Sequence, residues 1–532
     1  SFKARVTLLS PVSCLFISGN PTFSCQPRLA GLCTQVHCSS TAALKMSLSM
    51  SLVLVAAVAG LLGTAEGNAF RGSGNIMDKV GRVSKEELKA AVLEEVMAAL
   101  GSGNRVTEDR LQGIEKTLKP IFLAMPKNVH GNLDHASARY VMHRLFVQRH
   151  AMYIKGLEPG GGSWSDGSIS AADVLQDRVP DFVQSLFEER LKGRGLGMHE
   201  LAVLAATLEH LIHDEAVKRL EVSYAAENLG TEAQLSEFDA QALLDTYMMI
   251  FIQGRNVSDT TPEQLAREKA GIASSYPGWK ATQKFAHQVQ SGVAASKSAE
   301  TDFADGQFTF QGMSAVVEEI GERYGRWQDA ECRDLKTDLV KIENHGTGRV
   351  LLKDFYGAGL SGSWQFSESM EYLRELGALD ESSQQPAVLI PNYVNARSNC
   401  LASSSIYSVC CINECEALLG HLEAKIAMPE ASATTILDLV SKLPSATVAA
   451  PRELPQELSK RLEDVAEHHE GSVPLHGRLF AQWLHHAYPR ECPYPHTSGS
   501  TNPMTADEWM QDQNRSVSAT RAEMQEIVER YQ

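Results

Sequence analysis

Five residues in one short stretch have the types and spacing to hold a cation. In Leu335–Phe355 (LKTDLVKIENHGTGRVLLKDF), Glu343, His345, Thr347, Arg349 and Asp354 fall at places one, three, five, seven and twelve of a twelve-residue span. Gly348 falls at the sixth place. A hard cation such as Ca²⁺ takes six to eight oxygens from such a span, which turns sharply at its glycine and closes with an acid. The oxygens available are those of Glu343, Thr347, the Arg349 carbonyl and Asp354, so water must complete the shell. His345 stands where Asp or Asn is usual, and Asp354 is shorter than the usual glutamate. Any Ca²⁺ held here is therefore held weakly, and the shorter acid favours Mg²⁺.

Positioning such a span takes a helix on either side. Met313–Glu343 is helical in pattern almost throughout, and its last turns carry the apolar stripe Leu335, Leu339, Ile342. Val350 takes the eighth place, and Phe355 begins the outgoing apolar face. Upstream, Thr301–Gly312 (TDFADGQFTFQG) repeats the plan with Asp305, Gly306, Phe308 and then Met313. Taken together, residues 281–360 resemble an EF-hand pair. The resemblance implies two helix–loop–helix units, Ca²⁺ as the ion, and Phe308 facing Val350 across a two-stranded link. Thr301 and Gly312 depart from the family pattern, since acids belong at both places. Lys127–Leu133 (KNVHGNL) and Glu227–Leu235 (ENLGTEAQL) have a similar look; ordinary helical hairpins are the preferred reading and further degenerate copies the alternative.

Other constellations carry less chemistry. Glu209 and His213 share a helical face with His210 one turn from His213, without the H-E-x-x-H pattern. His476, His485, His486 and His496 surround Phe480, Trp483 and Tyr488, which reads better as a docking amphipathic helix than as a metal site. Gly359–Ser363 misses G-x-S-x-G, Gly193–Gly197 misses G-x-G-x-x-G, and no P-loop occurs. The balance is against an enzyme, with a histidine-based metal enzyme as the alternative.

The chain has 532 residues and a formal net charge of -16. No basic block is present, which argues against nucleic acid and leaves an unidentified protein as the expected partner. Residues 1–69 read as a leader. From Met46 or Met50, the apolar run Ser51–Leu62 has signal-peptide length, with cleavage expected after Ala65 or Ala69. The expected location is the secretory pathway or outside the cell. Phe70 and Arg71 after the cut resemble the bipartite leaders of algae with complex plastids, which implies a plastid-targeted accessory protein as another alternative. Behind the leader lie six cysteines, Cys332, Cys400, Cys410, Cys411, Cys415 and Cys492, expected to form disulfides in which Cys410 and Cys411 take different partners. Asn256 and Asn514 open N-glycosylation sequons.

The organisation expected is a mainly α, multi-helical protein with the EF-hand-like pair and a disulfide-stabilised, α-rich C-terminal region with little β. Boundaries fall at 70–255 for an N-terminal helical domain and 256–360 for the region with the pair. A Cys-containing C-terminal domain covers 361–505 and a polar helical tail 506–532. No transmembrane helix is expected in the mature chain. The segments HLIHDE, DAECRDLK, GSWQFSES and PRECPYP resemble a family of signal-peptide-bearing proteins from microalgae and related protists. That resemblance implies compartment and source, and no activity.

Overall fold

Thr309 accepts the amide of Gly312 on its hydroxyl, and from this cap a helix runs unbroken over Phe310–Lys341. Buried Met313, Val316, Val317, Ile320 and Tyr324, and further on Cys332, Leu335 and Leu339, recur at helical spacing along its inner side. The computed structural model describes residues 108–154, 157, 194–254, 261–297, 301–362, 365–401, 407–497 and 499–532. The leader and the Asn256 sequon lie outside the described residues.

The protein is mainly helical, with sixteen α-helices and seven short strands among the described residues. In chain order they are α1 (Glu108–Ala124), α2 (His135–His150), β1 (Met152–Ile154), α3 (Met198–Ala226), α4 (Glu237–Gln253), α5 (Pro262–Ser275), α6 (Trp279–Ser296) and α7 (Phe310–Lys341). There follow β2 (Arg349–Leu351), α8 (Leu352–Ser361), α9 (Met370–Glu375), β3 (Leu379–Asp380), β4 (Ala387–Leu389), α10 (Ile390–Val394) and β5 (Tyr407–Val409). The chain closes with α11 (Glu414–Ile426), β6 (Glu430–Ala431), α12 (Ala433–Ser441), α13 (Gln456–His468), β7 (Val473–Pro474), α14 (Arg478–Ala487), α15 (Ala506–Gln513) and α16 (Arg521–Arg530). No helix among the described residues is long and apolar enough to cross a membrane.

The strands are brief because most of them are the turns between helices, zipped in pairs. Leu133 bridges Leu196, Leu235 bridges Phe308, and Glu368 bridges Ser518. β2 pairs with β4 so that Val350 faces Val388, and β6 pairs with β7. Phe308 and Val350 therefore do not face each other, contrary to the sequence expectation. The reason is the rigid rod between them: 32 residues of α7 at about 1.5 Å each hold the two turns roughly 48 Å apart. Lys127–Leu133 and Glu227–Leu235 are likewise more than plain hairpin turns, since each contributes a bridging leucine.

Three local features run against the simplest reading of their residues, each with a physical reason. Pro120 does not stop α1, because Ile121, Ala124 and Met125 beyond it are buried and repay the lost backbone bond. α2 ends at His150, where Ala151 turns left-handed (φ 55°) and Met152–Ile154 pairs with Tyr407–Val409. Pro386–Val394 is a strand only at Ala387–Leu389; Ile390–Val394 coils into one helical turn with Pro391 near its start, where no amide is missed.

Two apolar cores bear on the sites below. One gathers Leu339, Val350, Phe355, Tyr393 and Trp509, and the other gathers Leu422, Leu462, Phe480, Trp483 and Tyr488. Disulfides join Cys332 to Cys411, Cys400 to Cys410 and Cys415 to Cys492. Adjacent Cys410 and Cys411 thus take different partners, as expected.

Candidate functional site

The loop after α7 turns where its glycines predict. His345, Gly346 and Gly348 all have positive φ (52°, 73° and 73°), and the Asn344 amide donates to the Arg349 carbonyl at 2.8 Å. Gly348 is required twice over. A β-carbon there would lie 2.0 Å from the Pro489 carbonyl oxygen, so no side chain fits even where the conformation is tolerated.

The five expected ligands are differently employed. Glu343, whose side chain is only 2% exposed, receives Arg490 on Oε2, from Nε at 2.8 Å and Nη2 at 2.6 Å. Its Oε1 accepts the Gly348 amide at 2.5 Å. Thr347 donates its hydroxyl to the Asn344 carbonyl at 2.7 Å. Arg349 spends its carbonyl on Asn344 and its guanidinium on Asp380 at 2.7 Å. His345 is exposed, and Asp354 sits in the first turn of α8, 3.3 Å from Lys353 and 41% exposed. The structure therefore gathers Glu343, Thr347 and Arg349 into one hydrogen-bonded turn whose single buried carboxylate already faces a guanidinium. Among the described residues no three His, Cys, Asp or Glu side chains are arranged to hold a metal ion.

The histidines near the C-terminus are engaged structurally. His476 lies 3.2 Å from Glu423 and edge-on to Tyr140, and burial, with Arg144 and Lys127 nearby, pushes its pKa down to about 3. His485 contacts the Cys492 carbonyl through Nδ1 at 2.7 Å and Arg349 through Nε2 at 3.3 Å. A neutral ring that donates from Nδ1 and accepts at Nε2 satisfies both, and burial holds that pKa down at about 4. His496 reaches the Gly377 carbonyl at 2.6 Å.

A second site surrounds Glu209. The sequence brings forward Glu209, His210 and His213 on α3, but their partners come from elsewhere. Arg110 of α1 grips Glu209 Oε2 from Nε at 3.0 Å and Nη2 at 2.7 Å. Arg149 and His150, at the end of α2, lie 3.4 and 3.6 Å from Oε1. His150 Nδ1 lies 3.3 Å from Glu322 of α7. Burial alone would raise the Glu209 pKa, but His150 and Arg110 outweigh it and hold the carboxyl down at about 2. Burial would likewise lower His150, and the bonds to Glu209 and Glu322 raise it instead. Arg110, His150 and Glu322 carry no local signal of this role, because their pairing depends on three helices meeting.

This cluster predicts a pH effect. A carboxyl depressed in the folded state contributes stability above its unfolded pKa of about 4.5, lost as pH falls toward about 2. Glu209→Gln should therefore cost a few kcal/mol at pH 7 and flatten the acid limb of stability below about pH 4.5. Urea unfolding at pH 7 and pH 3 measures this; equal losses at both would remove Glu209 as the cause. No protein-family model, curated protein or solved structure matches the chain.

Proposed function

We propose that the chain is a secreted or endomembrane protein of binding or structural type, built from degenerate EF-hand-like helix–loop–helix units. In this reading the 343–354 loop is held closed by Arg490 in place of a cation, and its partner is another protein. The observation that carries the reading is the guanidinium of Arg490 on the buried carboxylate of Glu343, with the Gly348 amide on the other oxygen. A bound ion would contact that carboxylate, so a cation and Arg490 compete for it. Turns zipped in pairs through single apolar residues, such as Leu235 with Phe308, support the EF-hand-like plan. Three disulfides and the expected signal peptide support the compartment. A histidine-based metal enzyme fits less well, because His476 and His485 are buried and held neutral, and His485 is committed to the Cys492 carbonyl.

Calorimetric titration with Ca²⁺ tests the loop. The protein should give no saturable heat up to about 1 mM, whereas Arg490→Gln should bind in the range of roughly 0.1–1 mM, as weak extracellular sites do. The same variant should lose about 2–3 kcal/mol of stability without calcium, since buried Glu343 keeps only the Gly348 amide and no opposite charge, and regain part of it when calcium is added. Micromolar binding by the unaltered protein would refute the clamp. Absence of calcium binding by Arg490→Gln would reduce the loop to a turn with no latent ion site.

A further inference from the structure

The Glu209 cluster, with His210, His213 and Glu318, forms the polar part of a cleft whose other walls are mostly apolar. Phe146, Met152, Tyr247, Phe251, Val317 and Tyr407 line it, and α2, α3, α4 and α7 all contribute. Its empty space, open mouth included, is about 700 Å³. Only about 60 Å³ of that admits the centre of a water molecule, so the cleft is a narrow slot and not a chamber. Behind the slot, Arg219 lies 5.6 Å over the ring of Tyr247 and 5.1 Å over that of Phe251, fixing both rings as a wall.

Two buried atoms at the polar end point to the ligand's chemistry. Glu209 Oε1 and His150 Nε2 meet charged groups only at ion-pair range, Oε1 lying 3.4 Å from Arg149 and 3.6 Å from Nε2, and neither completes a hydrogen bond among the described residues, although both side chains are 5% exposed. They stand 3.6 Å apart, a gap over which one oxygen can sit about 2.8 Å from both. That oxygen must donate to the carboxylate and accept from the imidazole N–H, which a hydroxyl does and an ether, a carboxylate or an ammonium does not. The surrounding charges balance, with Arg110, Arg149 and His150 against Glu209, Glu318 and Glu322, so an ion has no advantage there.

We propose that this cleft is a binding site for a flat, uncharged molecule of the phenol class, its ring between the aromatic walls and its hydroxyl between Glu209 and His150. This site is separate from the 343–354 loop and does not depend on how that loop works.

Phenol itself is the probe, added to the full chain and followed by titration calorimetry and ligand-observed NMR. Saturable binding with a Kd on the order of 0.1–1 mM is expected, since seven heavy atoms need then supply well under the usual ceiling per atom. Benzene should bind at least about tenfold more weakly, because it brings no hydroxyl to Glu209 Oε1 and His150 Nε2. Benzoate and benzylammonium should compete poorly. Gly321 of α7 lines the cleft, and a β-carbon there meets nothing within 4 Å. Gly321→Leu should therefore fill the slot and abolish binding while the helix, relieved of a glycine, keeps its stability. Failure of phenol to bind, with water alone at the polar end, would overturn the proposal. So would phenol binding that Gly321→Leu leaves intact, or benzene binding as tightly as phenol.

Discussion

Replacing Arg144 by alanine should cost about 3–5 kcal/mol, the usual loss when one partner of a buried ion pair is removed. Arg144 is 3% exposed and sits on α2. Its Nη1 bonds Glu423, its Nε meets the Glu416 carboxylate, and its Nη2 donates to the Glu416 carbonyl at 3.2 Å. One side chain thus fastens α2 to α11, 279 residues away in the chain at the Glu423 contact. Its loss strands two carboxylates, those of Glu423 at 2% and Glu416 at 16% exposure. His476, 3.2 Å from Glu423, offers little replacement at neutral pH because it is held neutral.

The pH dependence gives the prediction its sign. Burial already raises Glu416 against the pull of Arg144, and without Arg144 that carboxyl should rise further. A carboxyl raised in the folded state is a penalty at high pH that is relieved as pH falls through its folded pKa. Removing Arg144 also removes a repulsion on His476, whose protonation then offsets Glu423. Urea unfolding should therefore show a larger deficit at pH 8 than at pH 5.5. A variant that replaces Arg144, Glu416 and Glu423 together by apolar residues should lose much less than Arg144→Ala. A deficit under 1 kcal/mol, or one independent of pH, would mean the triad carries little of the α2–α11 junction.

What the sequence discloses follows from the range of the forces involved. Helices with caps and stripes are local, so α7 (Phe310–Lys341) stands within a few residues of the Met313–Glu343 that its periodicity marks. The turn at Gly348 is local too, because its positive φ is written in a glycine. Pairing between turns is not local. Val350 could be recognised as a bridging residue, but its partner Val388 depends on how α8 and α9 fold back. The Glu343 carboxylate was visible as a ligand, whereas Arg490, 147 residues on, has no spacing that ties it to the loop. Glu209 was visible on its helix face, and the charges that surround it come from α1, α2 and α7. Each missed partner belongs to a contact made only after helices pack.

Opening the long disulfides should weaken the protein more than opening the short one, and should loosen the Arg490 clamp with it. Cys332–Cys411 and Cys415–Cys492 close separations of 79 and 77 residues, against 10 for Cys400–Cys410. Chain entropy assigns about 4–5 kcal/mol to each long closure and about 3 kcal/mol to the short one. Both long bridges converge on the junction that carries the clamp. Lys336, one turn along α7 from Cys332, reaches Glu414 at 2.7 Å and Glu491 at 3.3 Å. Glu491 is flanked by Arg490 and Cys492, and Pro489 lies against Gly348. The double variant Cys415→Ser/Cys492→Ser frees the 489–492 turn, so it should unfold at lower urea and also bind Ca²⁺ weakly, as Arg490→Gln does. Cys400→Ser/Cys410→Ser should lose less stability and remain indifferent to Ca²⁺, because that bridge braces the end of β5 and not the loop. Equal calcium responses in the two variants would break the link between the disulfide and the clamp. A larger stability loss from the short bridge would show that native contacts, and not loop closure, set the ranking.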